Sequence, residues 1–173
     1  VKVDPSWADL TVNAVKESTG DDYFDSYVDV VGSLDGYDLP VSKFTEYELL
    51  DGTMQNNITF KEKRATADRV PLWHKENCIQ CNQCAFVCPH ATIRPFVLND
   101  EQIAKLPEDE REDVLNLMGG PNTKGLKFRI QVSPMNCVGC GICFVQCPGK
   151  GGKKALEMVE AKTQYHHEKA ADI

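Results

Sequence analysis

The chain has 173 residues, 42% hydrophobic and 26% charged, an ordinary globular composition sized for one domain or two small ones. Its net charge of −7 belongs to the N-terminal third, where residues 1–68 hold 6 Lys/Arg against 14 Asp/Glu, whereas residues 69–160 hold 11 against 10. No long basic stretch suits a nucleic-acid backbone, no apolar run nears the roughly 20 residues of a membrane span, and the start lacks a signal-peptide pattern, so neither nucleic acid nor membrane is an expected partner. The chain opens at Val1 without an initiator methionine, which keeps a processed or excised piece of a longer polypeptide in view.

In chain order, Ser6 with Asp9 three residues on reads as a helix start, followed by Trp7, Leu10, Ala14 and Val15 at helical spacing. Tyr23, Phe24, Tyr27, Val28 and Val31 form a second helical run ending near Gly32. Asp35-Gly36, Pro40 and Asp51-Gly52 mark turns. Residues 37–68 have few apolar anchors and read as an extended, largely irregular arm, so 1–68 is expected to be a segment that packs on other protein. Arg69 to Trp73 reads as an edge strand and Thr92-Ile93-Arg94 as its outgoing counterpart. Between the halves, residues 96–125 form an insert. Pro107 followed by Glu108, Asp109 and Glu110 opens a predicted helix with Val114, Leu115, Leu117 and Met118 on its apolar face, stopped by Gly119-Gly120-Pro121. It serves as a docking or shielding helix, or simply packs on the surface. Leu126 to Val132 alternates as the clearest strand, Ala155 to Val159 is another, and residues 161–173 read as a linker or solvated tail. Adjacent His166 and His167 in that tail lack metal-ligand spacing. Asn57-Ile58-Thr59 matches a glycosylation acceptor, which a chain of reduced cysteines makes irrelevant.

The eight cysteines stand in two groups, Cys78, Cys81, Cys84, Cys88 before Pro89 and Cys137, Cys140, Cys143, Cys147 before Pro148. Both read C-x2-C-x2-C-x3-C-P, an internal repeat that extends upstream to Asn77 and Asn136. Three chemistries compete. Disulfides suit exported chains, and closely spaced cysteines are poorly placed to cross-link distant segments. Structural zinc takes a C-x2-C pair from each of two places, with no cysteine left over. The run is instead the bacterial ferredoxin pattern for two [4Fe–4S] clusters, in which the fourth cysteine serves the other cluster. Three thiolates come from a tight loop, and the fourth lies further on, where the chain has turned helical and meets proline. Cys78, Cys81, Cys84 and Cys147 are therefore assigned to cluster one, and Cys137, Cys140, Cys143 and Cys88 to cluster two. Each group flanked by two short strands predicts an α+β, bacterial-type 2[4Fe–4S] ferredoxin-like domain over 69–160, pseudo-twofold, with the insert between its halves.

The loops differ. Gly139 and Gly141 tolerate positive φ and let backbone N–H groups close on sulfur, whereas the first loop has no glycine and Asn82 is its best left-handed candidate. Two unequal cluster potentials are expected. Ile79, Val138, Phe86, Val87, Phe144 and Val145 are expected to pack around the clusters. His90, after Cys88-Pro89, either couples protonation to redox state or is a plain surface side chain. No serine, histidine or carboxylate constellation calls for a catalytic role.

The stretch Cys78-Ile79-Gln80-Cys81-Asn82-Gln83-Cys84-Ala85-Phe86-Val87-Cys88-Pro89-His90-Ala91, with Ile93-Arg94-Pro95 after it, resembles the ferredoxin-like segment of the pyruvate:ferredoxin (flavodoxin) oxidoreductases. Asp38 to Phe44, Asp51-Gly52-Thr53 and Glu62-Lys63-Arg64 are similar to that family's preceding arm, and Phe128 to Val132 and Ala155 to Met158 also fit. The resemblance covers roughly residues 25–160. It implies a large, cytoplasmic, homodimeric thiamine diphosphate and Mg2+ enzyme that converts pyruvate and coenzyme A to acetyl-CoA and carbon dioxide. Single electrons leave through three [4Fe–4S] clusters to ferredoxin or flavodoxin. Two of those clusters would be bound here; the third and the thiamine site would lie in the remainder of the polypeptide. This chain alone is then an electron-transfer segment without catalytic residues. The competing readings are a free-standing ferredoxin-like carrier, the same segment of another 2-oxoacid or NADP-linked oxidoreductase, and a zinc-stapled interaction module.

Overall fold

The computed structural model of the chain describes residues 2–6, 18–56 and 58–172. The first predicted helix, with Trp7, Leu10, Ala14 and Val15, lies outside the described residues, as does Asn57. The chain divides into two compact units, Val1–Glu62 and Lys63–Ile173.

In the first unit the apolar run around Tyr23 is helical. A π-helical stretch, Phe24–Val28, leads directly into α1 (Asp29–Gly32). The arm is less irregular than its composition predicts, because α2 (Ser42–Glu46) brings Phe44 and Tyr47 against this run. Tyr23 stacks on Tyr27 at 5.5 Å and meets Tyr47 edge-on at 5.1 Å, while Phe44 meets Tyr27 at 5.6 Å. Such aromatic pairs stabilise by more than area burial alone. The Tyr47 hydroxyl donates to Asp22 Oδ2 at 2.6 Å, so the ring is held at both its apolar and its polar end.

The second unit begins before residue 69. Ala65 N–H donates to Met135 O, and Ala67 is buried with Val70, Cys137 and Ala161. Among the described residues five strands follow: β1 (Arg69–Trp73), β2 (Ile93–Leu98), β3 (Leu115–Asn116), β4 (Lys127–Val132) and β5 (Leu156–Glu160). β1 pairs antiparallel with β5, in register Arg69↔Glu160 to Trp73↔Leu156. β2 pairs antiparallel with β4, in register Ile93↔Val132 to Leu98↔Lys127. Each incoming strand thus pairs with the outgoing strand of the other half. Between the strands of each half sits a short helix, α3 (Gln83–Phe86) in the first and α5 (Ile142–Gln146) in the second.

The insert folds otherwise than its sequence predicts. β2 runs on to Leu98, α4 (Asp100–Ile103) follows with an Asn99/Gln102 capping box, Glu108–Glu110 is a single 3-10 turn, and β3 pairs with β4. No helix spans Pro107 to Met118. Two tertiary demands override the local pattern. The otherwise free edge of β4 takes Leu115 and Asn116 as strand partners, and the Glu110 side chain is drawn inward to Arg129.

That ion pair explains another departure. Alternation along β4 predicts one wet face, yet Arg129 and Gln131 are buried along with Phe128, Ile130 and Val132. Arg129 Nη2 donates to Glu110 Oε2, Nη1 donates to Glu110 O at 2.7 Å, and Nε donates to Gln131 Oε1 at 2.7 Å. His167 Nδ1 lies 2.9 Å from the other Glu110 oxygen. Burial lowers the Arg129 guanidinium to about 10, with the Asp109 carboxylate opposing the shift, so it stays charged at neutral pH. Burial, then Arg129, holds the His167 imidazole below its ordinary value, against Asp113 and Asp109.

Residues 161–172 are not a solvated tail. A 3-10 helix, Ala161–His167, runs into α6 (Glu168–Ala171), with Ala161, Glu168 and Ala170 buried. The Glu168 carboxylate accepts from Lys63 Nζ at 2.8 Å, Ser133 Oγ at 2.7 Å and Met135 N–H at 2.9 Å. One buried acid thereby ties the C-terminal segment to the residues that lead into the second cysteine loop. Among the described residues no helix is long and apolar enough to cross a membrane.

Candidate metal centres

The core of the second unit is built around its cysteines. Ile93, Phe128, Ile130, Val132, Cys143 and Leu156 form its buried centre, against which Trp73, Cys78, Cys84, Cys88 and Cys147 pack. Within it, one cavity is lined by Cys78, Cys81, Cys84 and Cys147, together with Trp73, Ile79, Ile130 and Leu156. A second is lined by Cys88, Cys137, Cys140 and Cys143, together with Thr92, Ile93, Val138 and Met158. Each cavity takes three thiols from one loop and the fourth from the other half. All eight thiols are free. Among the described residues no three Cys, His, Asp or Glu side chains gather closely enough to hold a single metal ion.

Backbone geometry in the two loops repeats. In the second, Gly139 and Gly141 have φ of 70° and 74°; in the first, Gln80 and Asn82 occupy the matching places at 57° and 60°. Left-handed backbone is costly for a side chain with Cβ, yet the first loop adopts it twice. Asn82 meets its expectation, whereas Gln80 gave no such signal. The Gln80 side chain has a second attachment. Its Nε2 donates to Asn116 O at 2.8 Å, and its Oε1 accepts from Met118 N–H at 2.9 Å. The insert is thereby tied across the first cysteine loop. In the second loop a Cβ on Gly139 would stand 2.8 Å from Arg69 O, so only glycine lets β1 approach this closely.

The left-handed residues turn backbone donors toward sulfur. Gln80 N–H donates to Cys78 Sγ and Gly139 N–H to Cys137 Sγ, both at 3.4 Å, and Ala155 N–H donates to Cys147 Sγ at 3.3 Å. Cys88 Sγ lies 3.5 Å from Thr92 Oγ1. Burial pushes the Cys84 thiol up to about 12 and Cys143 to about 11, and raises Cys137. Cys88 differs. Burial opposes its ionisation, but hydrogen bonds from the Thr92 hydroxyl and from the N–H groups of His90, Thr92 and Ile93 together bring it below the ordinary thiol value. A metal ligand must be a thiolate, so loading these sites releases protons. Lys154 Nζ donates to the carbonyls of Phe144, Val145 and Cys147 and closes the open end of α5.

Not every predicted packing residue faces the cavities. Ile79 and Val138 line them and Phe144 packs on the core, but Phe86 is 90% and Val145 67% exposed. Each sits two residues past an inward cysteine on a short helix, and hence on the opposite side. His90 lines the second cavity but is exposed.

Residues 77–151 match the family model described as a 4Fe–4S dicluster domain. The donor set fits that description: four thiols surround each cavity, with N–H donors aimed at sulfur. The chain is 43% identical to the pyruvate:ferredoxin oxidoreductase of Moorella thermoacetica, over 92% of this chain and 13% of that protein. The chain belongs to the pyruvate:ferredoxin (flavodoxin) oxidoreductase family. Its likeness to the pyruvate-flavodoxin oxidoreductase of Enterobacter agglomerans is 41% over 76% of the chain and 10% of that protein. The mitochondrial pyruvate dehydrogenase [NADP(+)] of Euglena gracilis is 38% identical, over 94% of the chain and 8% of that protein. The chain therefore spans 13% or less of the length of these family members.

Proposed function

We propose that the chain is the two-cluster electron relay of a pyruvate:ferredoxin oxidoreductase. Cys78, Cys81, Cys84 and Cys147 ligate one [4Fe–4S] cluster, and Cys137, Cys140, Cys143 and Cys88 the other, within a pseudo-twofold ferredoxin-like domain. The observation that carries this reading is the pair of cavities, each with four thiols drawn from both loops. When bound, the clusters supply one-electron redox chemistry. The chain's own residues do three things: the thiols hold the metal, the N–H donors favour negative charge on sulfur, and Trp73, Ile93, Ile130 and Leu156 keep water from the inner walls.

Electrons enter from a thiamine diphosphate and Mg2+ site, through a third [4Fe–4S] cluster, both in the remainder of the polypeptide. That site converts pyruvate and coenzyme A to acetyl-CoA and carbon dioxide, and ferredoxin or flavodoxin takes the electrons away. Residues 1–62 pack on the remainder, the whole protein is a homodimer, and free thiols throughout suit a reducing cytoplasm. The Euglena relative favours a second arrangement, the same relay in an NADP-linked enzyme. A free-standing carrier is disfavoured, since the relatives hold this segment inside far longer polypeptides.

The relay is tested in the intact enzyme with Cys140→Ser. Pyruvate-dependent reduction of ferredoxin is expected to fall sharply, while a single turnover of pyruvate still releases carbon dioxide. Undiminished ferredoxin reduction in a variant whose second cluster is lost would place the electron path elsewhere.

A further inference from the structure

The two halves meet the ends of their cysteine runs differently at one matching point. Thr92 is the residue before β2 and Ala155 the residue before β5, and both are buried, at 7% and 4% exposure. At Ala155 a backbone N–H donates to Cys147 Sγ, and the side chain is a bare methyl. At Thr92 the side chain itself reaches a thiol, with Oγ1 at 3.5 Å from Cys88 Sγ. Its own carbonyl accepts from Ser133 N–H at 2.7 Å, which anchors Thr92 between β2 and the end of β4. The hydroxyl is therefore held against the second cavity by buried backbone.

We propose that Thr92 sets the redox potential of the cluster in the second cavity, holding it above the value its thiolates and backbone donors alone would give. The inference rests on the two-cluster reading. A cysteine bound to iron carries no proton, so the hydroxyl is the donor in the Thr92–Cys88 pair. An added electron places negative charge on the ligand sulfurs, and a donor aimed at one of them stabilises the reduced state. At the matching place near the first cavity, Ala155 has no hydroxyl to give. Thr92 is thus a positioning and tuning residue that makes two nearly repeated sites unequal, and it favours the second cavity as the resting place of the first electron.

The test is a potentiometric titration, followed by electron paramagnetic resonance, of the full chain loaded anaerobically with iron and sulfide. Thr92→Val, close in shape but without the hydroxyl, is expected to lower the potential of the cluster whose spectrum Cys140→Ser alters. The other potential stays where it was. Thr92→Ala, which needs no extra room, gives the same shift, and Thr92→Ser restores the parent value. Unmoved potentials in Thr92→Val and Thr92→Ala, or an equal fall in both clusters, would overturn the role of Thr92 and leave the relay standing, provided the parent holds two four-iron clusters. A parent that holds zinc in place of iron overturns the relay reading and this inference with it.

Discussion

Replacing Cys88 with alanine is expected to cost the cluster of the second cysteine loop and spare the cluster of its own. Cys88 belongs by sequence to the first run, but it lines the cavity that holds Cys137, Cys140 and Cys143. α3 carries Cys84 inward at its start, and the chain then turns through Cys88-Pro89 toward the other half. Loss of one site would lower iron from about eight to about four per chain. The spectrum of Cys88→Ala should match that of Cys140→Ala and differ from that of Cys81→Ala. Cys147→Ala is the reciprocal case. A Cys88→Ala protein that loses the same signal as Cys81→Ala would show that each loop binds its own cluster.

The second large effect is structural. Glu110→Ala removes the buried carboxylate that receives both Arg129 and His167. It leaves a guanidinium only 4% exposed without its counter-charge. Breaking a buried pair from one side typically costs about 3 to 5 kcal/mol. The lower end is expected here, because Arg129 keeps Gln131 Oε1 and the main-chain carbonyl of residue 110 as acceptors. Removing both charges, as in Glu110→Leu with Arg129→Met, should recover much of the loss, since a well-packed apolar pair is often no less stable than a buried ionic one. Urea unfolding of the parent, the single and the double variant checks this. A single variant within about 0.5 kcal/mol of the parent, the range of ordinary surface substitutions, would mean that the pair does not hold the insert to β4.

Four of the strands in the second unit, β3 excepted, and the helical run at Tyr23 were readable because their patterns are local. Leu126 to Val132 alternates, Arg69 to Trp73 is a short run that reads as an edge strand, and Tyr23 to Val31 repeats at helical spacing. The eight cysteines stood out by spacing alone, and the structure gathers them into two fours. What could not be read was set by partners distant in sequence. Val114, Leu115, Leu117 and Met118 fit a helix as well as anything of their length, and only the open edge of β4 makes Leu115 and Asn116 a strand. Residues 161–173 looked like a tail because nothing near Glu168 announces that Lys63, Ser133 and Met135 will all converge on it. Phe44 and Tyr47 lie in a stretch with few apolar anchors, and only α2 sets them on Tyr23 and Tyr27. Thr92 carries no signature at all, since a threonine before a strand is commonplace and only its distance to Cys88 Sγ gives it meaning.

The central claim is that these two cavities hold four-iron clusters that pass electrons. It is tested most directly by measuring iron, acid-labile sulfide and zinc on anaerobically purified protein, with electron paramagnetic resonance after dithionite reduction. About eight iron and eight sulfide per chain, with the signals of two interacting reduced clusters, is the predicted result. About two zinc per chain with no reducible signal would contradict it and make the cysteine runs a structural staple.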